Sequence, residues 1–415
     1  MVKSSLCSFA LLFFLSCAPE ILARPLVSRG AHTSLPFTLN LNLTTTTLAD
    51  IDRNRAKALR KLASKTSSAR SSGKRAVVSV DATNTAVTYT VEVGVGTPPT
   101  NYTLLVDTGS SNTWIGASTP YVQTSTSQDT GNMVSVTYGS GMFSGEEFLD
   151  TITLSPDLVI ENQGIGVASL TQGFAGVDGI LGIGPLDLTV GTQGSSSDSI
   201  PTVTSNLFTQ GKIPSNLVSV SYNPITNAST VNGEIIFGNT DPNAFTGDIT
   251  FTPLTATSPA SEFWGIDQSV SYGTEVSLLS NTAGIVDTGT TLVLLASDAF
   301  ETYQASTGAT LDENTGLLQI TEAQMDNLQS LFFNIGGETF ELTPNAQLWP
   351  RSLNTILGGA EDSILLIVSD LGSPSGQGLD FINGYAFLER FYSVFDTDNN
   401  QVGFATTKNT NSTIN

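Results

Sequence analysis

From residue 87 onward, short runs of β-branched and aromatic residues alternate with clusters of Gly, Ser, Asn and Asp. Val87-Thr-Tyr-Thr-Val-Glu-Val, Tyr102-Thr-Leu-Leu-Val, Val134-Ser-Val-Thr-Tyr and Gly233-Glu-Ile-Ile-Phe are examples. Such runs between turn formers predict strands, and their frequency predicts a mostly β body. Helix signals are few there. Pro201 to Gln210 predicts one helix, stopped by Gly211. Thr321-Glu-Ala-Gln324 predicts the start of another through a capping box, ahead of Leu328 and Leu331.

The N-terminal part reads differently. After Met1-Val-Lys-Ser-Ser comes an apolar stretch, Leu6 to Ala18, with small residues near Ala18 and Ala23. A short positive start, a brief apolar core and small residues predict a secretory signal peptide over 1–23. A membrane anchor needs about 20 apolar residues, and no later stretch supplies them, so a secreted, soluble product is expected. Farther on, a helix is predicted from Asp50 to Lys65. Leu59 and Leu62 form a thin apolar stripe among Arg53, Arg55, Lys57, Arg60, Lys61 and Lys65.

Charge divides the chain sharply. Its 415 residues carry a formal net charge of −21. Residues 24–75 hold eleven bases against two acids, a net of +9, whereas 76–415 hold four bases against thirty-four acids, a net of −30. The break falls at Lys74-Arg75, after the small run Ser71-Ser72-Gly73. A dibasic pair in such a stretch of a secreted chain is a candidate processing site. Residues 24–75 are therefore expected to be a basic pro-segment that covers an acidic cleft and lets go as carboxylates protonate. So acidic a body has no basic surface for nucleic acid. With few possible ion pairs, the body should tolerate acid and lose structure toward alkaline pH, as carboxylate repulsion grows.

Cys7, Cys17 and His32 are the only cysteines and the only histidine. The body therefore has no Cys nucleophile, Ser-His-Asp triad, Cys/His zinc site or disulfide of its own. Its chemistry must come from carboxylates, hydroxyls, amides or backbone. Asp396-Thr-Asp398-Asn-Asn400 invites a calcium-loop reading, but Gln401 stands where Gly is needed and Thr407 where a bidentate Glu is needed. A turn between strands is expected instead, and neither metal nor cofactor.

One repeat stands out. Leu104-Leu-Val-Asp107-Thr-Gly-Ser110 and Gly284-Ile-Val-Asp287-Thr-Gly-Thr290 are apolar strands ending in Asp-Thr-Gly-hydroxyl, 180 residues apart (287 − 107). The Gly allows close backbone approach and leaves an amide for the carboxylate. If the two turns face each other, Asp107 and Asp287 cannot both ionise cheaply and share one proton. One oxygen then accepts a proton from a water held between them while the other group donates to a substrate carbonyl. The alternative is a pair of ordinary Asx turns closing strands.

These motifs resemble the two active-site signatures of the pepsin-like aspartic proteases: Val106-Asp-Thr-Gly-Ser-Ser-Asn-Thr-Trp114 and Ile285-Val-Asp-Thr-Gly-Thr-Thr291. Val136-Thr-Tyr-Gly-Ser-Gly141 resembles the flap hairpin, and Asp178-Gly-Ile-Leu-Gly-Ile-Gly184 the segment behind the first Asp. Phe387-Leu-Glu-Arg-Phe-Tyr-Ser-Val-Phe-Asp396 with Val402-Gly-Phe404 resembles the C-terminal signature, and residues 24–75 resemble the basic activation segment. In detail the chain is similar to the family's cysteine-free fungal members.

The resemblance implies a bilobal fold: two β lobes related by a pseudo-twofold, at 76–245 and 246–415, with a cleft between them. It implies a monomeric acid endopeptidase, made as a zymogen blocked by a pro-segment Lys, with polypeptide substrates. Asp107 and Asp287 would be the dyad, Thr108 and Thr288 the cross-brace, and Ser110 and Thr290 partners of the outer carboxylate oxygens. Tyr138 would lie on the flap near the Trp114 indole. Gly109, Gly139, Ser140 and Gly289 would hold an extended substrate. Ser140 stands where some fungal relatives carry an Asp linked to accepting Lys. Bulky apolar residues are therefore expected on both sides of the cut. Asn101, Asn227 and Asn411 are glycosylation acceptors in the body, and Asn42 lies in the basic segment. Asn383, where the family pattern is apolar, needs a partner if buried, and the sequence names none. Two other classes remain open: a catalytically silent binding protein on the same fold, and a glycosidase using a carboxylate pair.

Overall fold

The computed structural model describes residues 34–41, 46–69, 87–138, 141–193, 198–224 and 229–415. The signal stretch, Cys7, Cys17, His32, Asn42, the Lys74-Arg75 pair and Asn227 lie outside them.

The described chain opens with strand β1 (Ser34–Leu41) and helix α1 (Leu48–Ala69). The helix begins two residues before Asp50 because Thr47 closes its first turn: Thr47 Oγ1 accepts the Asp50 N–H at 3.2 Å. It also runs past Lys65. Its buried face is wider than the Leu59/Leu62 stripe, with Leu48, Ala49, Ile51, Ala56, Leu59 and Ala63 all buried. Asp52 and Arg55 fall on that same face and are buried with them. β1 inserts antiparallel between the strands Val87–Val95 and Ser229–Phe237.

The β body follows the strand pattern. A thirteen-stranded sheet takes in most strands of the first half, and sheets of seven and three strands build the second. Phe391–Asp396 pairs with Leu217–Tyr222, and Gln401–Thr406 pairs with Phe391–Asp396 and Thr246–Pro253. The chain's C-terminal strands thus join the large sheet and tie the two lobes together.

The sequence repeat is also a repeat of topology. Thr100–Asp107 runs parallel to Gly179–Gly182; Trp114–Ile115 pairs antiparallel with the latter and parallel with Leu158–Gln172. In the second half Val276–Val286 runs parallel to Phe381–Asn383; Val293–Leu295 pairs antiparallel with that strand and parallel with Val368–Asp370. Each Asp-Thr-Gly turn therefore follows a buried strand backed by a second short strand. A β-carbon on Gly384 would lie 2.6 Å from the Thr290 carbonyl oxygen, so the backing strand approaches the turn as only Gly permits.

The predicted helix after Pro201 spans Val203–Thr209, and Thr202 caps it by accepting the Ser205 N–H. The Thr321–Gln324 capping box is present, but its helix is a single turn, Glu322–Met325. Leu331 is not on it; it begins the strand Leu331–Ile335, where pairing with Gly265–Tyr272 outweighs continuing the helix. Asp396 closes a turn between strands, accepting from the Asn399 N–H and from the Asn399 and Gln401 side chains. Among the described residues no group of His, Cys, Asp and Glu could hold a metal, and no helix is long and apolar enough to cross a membrane.

Candidate active site

The structure brings Asp107 and Asp287 together, both fully buried. Their surroundings match nearly atom for atom. Asp107 Oδ1 accepts the Gly109 N–H at 2.9 Å, and Oδ2 accepts the Ser110 hydroxyl at 2.6 Å. Asp287 Oδ1 accepts the Gly289 N–H at 3.1 Å, and Oδ2 accepts the Thr290 hydroxyl at 2.6 Å. The two turns are braced crosswise. Thr288 Oγ1 accepts the Thr108 N–H at 3.1 Å and donates to Val106 O; Thr108 Oγ1 accepts the Thr288 N–H at 2.9 Å and donates to Val286 O. Each turn glycine also faces the other carboxylate: a β-carbon at 109 would lie 2.7 Å from Asp287 Oδ1, and one at 289 would lie 2.8 Å from Asp107 Oδ1.

Arg55 of α1 sits on the pair. Its Nη2 donates to Asp107 Oδ1 at 2.5 Å and to Asp287 Oδ1 at 2.8 Å, and its Nε donates to Asp287 Oδ2 at 2.6 Å. Burial acts to raise the Asp287 carboxyl, but the Arg55 charge and hydrogen bond, with the Thr290 hydroxyl and Gly289 amide, hold it below the usual carboxylate range. Burial likewise works against the Arg55 charge, and the two carboxylates more than restore it. The basic residue expected at the pair was a lysine; the structure places this arginine there, whose planar fork reaches both acids at once.

Three residues from Arg55, Asp52 is buried against the second turn. Its Oδ2 accepts the Thr291 N–H at 3.0 Å and the Leu292 N–H at 2.7 Å. Burial pushes its carboxyl up to about 7, against the lowering effect of the two amides and Arg55. Arg53 Nε donates to Asp370 O and Arg60 Nη2 to Leu379 O, two further bonds from α1 to the second half.

The hairpin of Gln128–Thr137 and Met142–Ser155 carries Tyr138 over the pair, with Tyr138 N–H donating to Gly141 O at 2.7 Å. The Trp114 indole N–H donates to the Tyr138 hydroxyl at 3.0 Å. Trp114 stacks on Phe143 with ring centroids 4.4 Å apart, and Phe174 meets both Trp114 and Tyr138 edge-on. Burial, then the negative charge of Asp107, raise the Tyr138 phenol, so it stays neutral. Leu59 and Leu62 of α1 line a small space beneath it. Gly139 and Ser140 lie outside the described residues.

Asn383 does find a partner. Its Nδ2 donates to Gln268 Oε1 at 2.9 Å and Gln268 Nε2 donates back to Asn383 Oδ1 at 3.2 Å, both side chains fully buried. Its carbonyl accepts the Asp287 N–H at 3.2 Å. Asn101 and Asn411 are exposed.

Arg55, Asp52, Gln268 and β1 were not singled out from the sequence. A signal existed for two of them: positions 48, 52, 55 and 59 share one helical face, so an acid and a base interrupt an apolar stripe.

The family model for eukaryotic aspartyl proteases matches residues 88–407. The chain is 64% identical over 338 residues to polyporopepsin of Irpex lacteus, covering 81% of this chain and 99% of that one. It is 32% identical to gastricsin of Cavia porcellus, covering 77% of this chain and 80% of the relative. The crystal structure of the aspartic proteinase from Irpex lacteus superposes with a TM-score of 0.79 at 56% identity, covering 93% of this chain and 100% of that one. With the whole Asp-Thr-Gly pair inside the matched span, the chain belongs to the eukaryotic aspartyl protease family and is a pepsin-like aspartic endopeptidase.

Proposed function

We propose that this is a secreted acid endopeptidase made as a zymogen, with Asp107 and Asp287 as its catalytic dyad. The two matched carboxylates, with Arg55 laid across both, support this reading. In the mature enzyme Arg55 is gone, and the two buried acids share one proton. The ionised one takes a proton from a water between them as its oxygen attacks the scissile carbonyl carbon. The protonated one donates to the carbonyl oxygen, giving a gem-diol; proton transfer to the amide nitrogen then lets the C–N bond break. Ser110, Thr290 and the Gly109 and Gly289 amides hold the carboxylates in place. Thr108 and Thr288 fix the two turns relative to each other. Tyr138, held by the Trp114 indole, covers an extended substrate, which Gly139 and Ser140 hold together with Gly109 and Gly289. Leu59 and Leu62 beneath the flap support a preference for bulky apolar residues beside the cut.

Residues 24–75 serve as the pro-segment of the lobes at 76–245 and 246–415, separated from them near Lys74-Arg75. The sign of the pH effect supports acid activation. Asp287 is depressed when Arg55 is docked, so its contribution to docking is complete above the ordinary carboxylate range and is lost as pH falls through its docked value. The acceptors Asn101, Asn227 and Asn411 fit a secreted glycoprotein that works as a monomer, away from membranes and nucleic acid.

The test is cleavage of an unfolded protein at about pH 3–4, where a carboxylate pair holds one proton. Pepstatin-sensitive cuts between apolar residues are expected. A folded, processed sample that cuts nothing would favour a binding protein on this fold. Equal cleavage after Lys and after Phe would overturn the apolar preference.

A further inference from the structure

We propose that Asp52 is an acid-resistant latch: it keeps the pro-segment on the second aspartate turn after acid has discharged the Arg55 ion pairs. The proposal rests on the zymogen reading above and adds a second, separately titrating contact to it.

Both hydrogen bonds to Asp52 fall on one oxygen. Oδ2 accepts the adjacent Thr291 and Leu292 N–H groups at 3.0 and 2.7 Å. A proton on Oδ1 therefore leaves both bonds in place. Arg55 behaves oppositely: its hold on the dyad requires ionised carboxylates, and protonating them leaves a buried guanidinium without its counter-ions. The site is dry, since Asp52 is only 1% exposed. The charged and titratable groups facing it are Arg55 on its own helix, and Asp287 and Tyr385 from the body. Of these only Arg55 favours a negative charge at 52, so removing Arg55 from the dyad would make the neutral form of Asp52 more favourable still.

The two contacts have opposite pH dependence. Asp287 is depressed by docking, so its contribution is lost as pH falls. Asp52 is raised by docking, to about 7, so its contribution is complete below the free carboxylate value and is lost as pH rises through about 7. In mildly acid solution the latch is tightening while the plug is still charged. Release then waits for stronger acid, and leaving the Thr291 and Leu292 amides is the second step of opening.

The experiment uses the full-length precursor as wild type, Asp52→Ala and Asp52→Asn, with Arg55→Ala as reference. Appearance of proteolytic activity is followed after transfer to a series of pH values from about 7 down to about 3. Asp52→Ala removes the acceptor from two buried amides and should convert about tenfold faster than wild type in mild acid. Asp52→Asn keeps a neutral acceptor oxygen and should convert at the wild-type rate at about pH 4, yet stay latent more firmly at about pH 7. The mature enzyme lacks residue 52, so equal kcat and Tm of the products show that the variants folded. If Asp52→Asn converts as fast as Asp52→Ala at acid pH, or if neither differs from wild type, the latch is wrong. If every precursor is active as made, including wild type, the zymogen reading itself fails, which is a different outcome.

Discussion

The two halves of the molecule differ in what supports the aspartate turns, although the turns themselves match. Asp107 and Asp287 have the same amide and hydroxyl partners, and Thr108 and Thr288 exchange the same bonds. Behind the first turn the backing strand Gly179–Gly182 contributes Leu181; at the matching place behind the second, Asn383 is paired with Gln268 in a closed amide ring. Helix α1 is uneven too. It gives Asp107 one nitrogen and Asp287 two, and Asp52, Arg53 and Arg60 all bond to the second half. The symmetric parts are those to which the proposed chemistry assigns a role. The unequal parts lie where either an apolar or a satisfied polar contact fills the space, or where an asymmetric helix must find a grip.

The equivalence of the two turns is tested first at the acids. Asp107→Asn and Asp287→Asn should each lower kcat by on the order of 10³ in a peptide assay, because the shared proton is lost from either side. A large difference between the two variants would mean that the turns are not equivalent in use. Next comes the uneven grip. Arg55→Ala in the precursor should raise hydrolysis of a short peptide at about pH 5 by more than tenfold before any processing, since it removes the counter-charge of both acids. Arg55→Lys should leave partial latency, because one ammonium lacks the fork that reaches both.

A third change makes the second half resemble the first. Asn383→Leu strands the Gln268 amide in a dry site and should cost about 1–3 kcal/mol in denaturant unfolding. Adding Gln268→Leu should recover much of that loss, since replacing both partners with apolar groups of similar size is tolerated. The smallest effect concerns the whole acidic body. It holds the ion pairs Arg351–Glu322 and Arg390–Glu389, and four bases against thirty-four acids leave room for few others. The mature enzyme should therefore melt a few degrees lower at about pH 8 than at about pH 4, as the excess of carboxylates over bases repels. A Tm that climbs steadily over that range contradicts it.

Much of this was legible in the sequence because the informative features are local. Alternating strands, the two Asp-Thr-Gly turns and the Tyr138 hairpin are each written in a few consecutive residues. What was not legible depends on distance in sequence. Asn383 and Gln268 are 115 positions apart and meet only through the fold, in which Gly265–Tyr272 and Phe381–Asn383 both pair with Val276–Val286. Choosing Arg55 over a lysine required knowing which helix face meets the cleft, and that face is fixed by Leu48, Ile51 and Leu59 burying together. β1 is a short strand whose place depends on partners about 50 and 190 residues away, so its local pattern alone does not announce it.

Asp107 and Asp287 are proposed to act as one proton-sharing unit. The most direct measurement is the pH profile of kcat/KM for the mature enzyme and for Asp287→Asn, on one peptide with apolar residues at the cut. Wild type should show two limbs, one for each macroscopic step of the pair, and Asp287→Asn should lose both the rate and one limb together. A wild-type profile with a single limb, or an Asp287→Asn enzyme that keeps the two-limbed shape at comparable rate, would contradict the account.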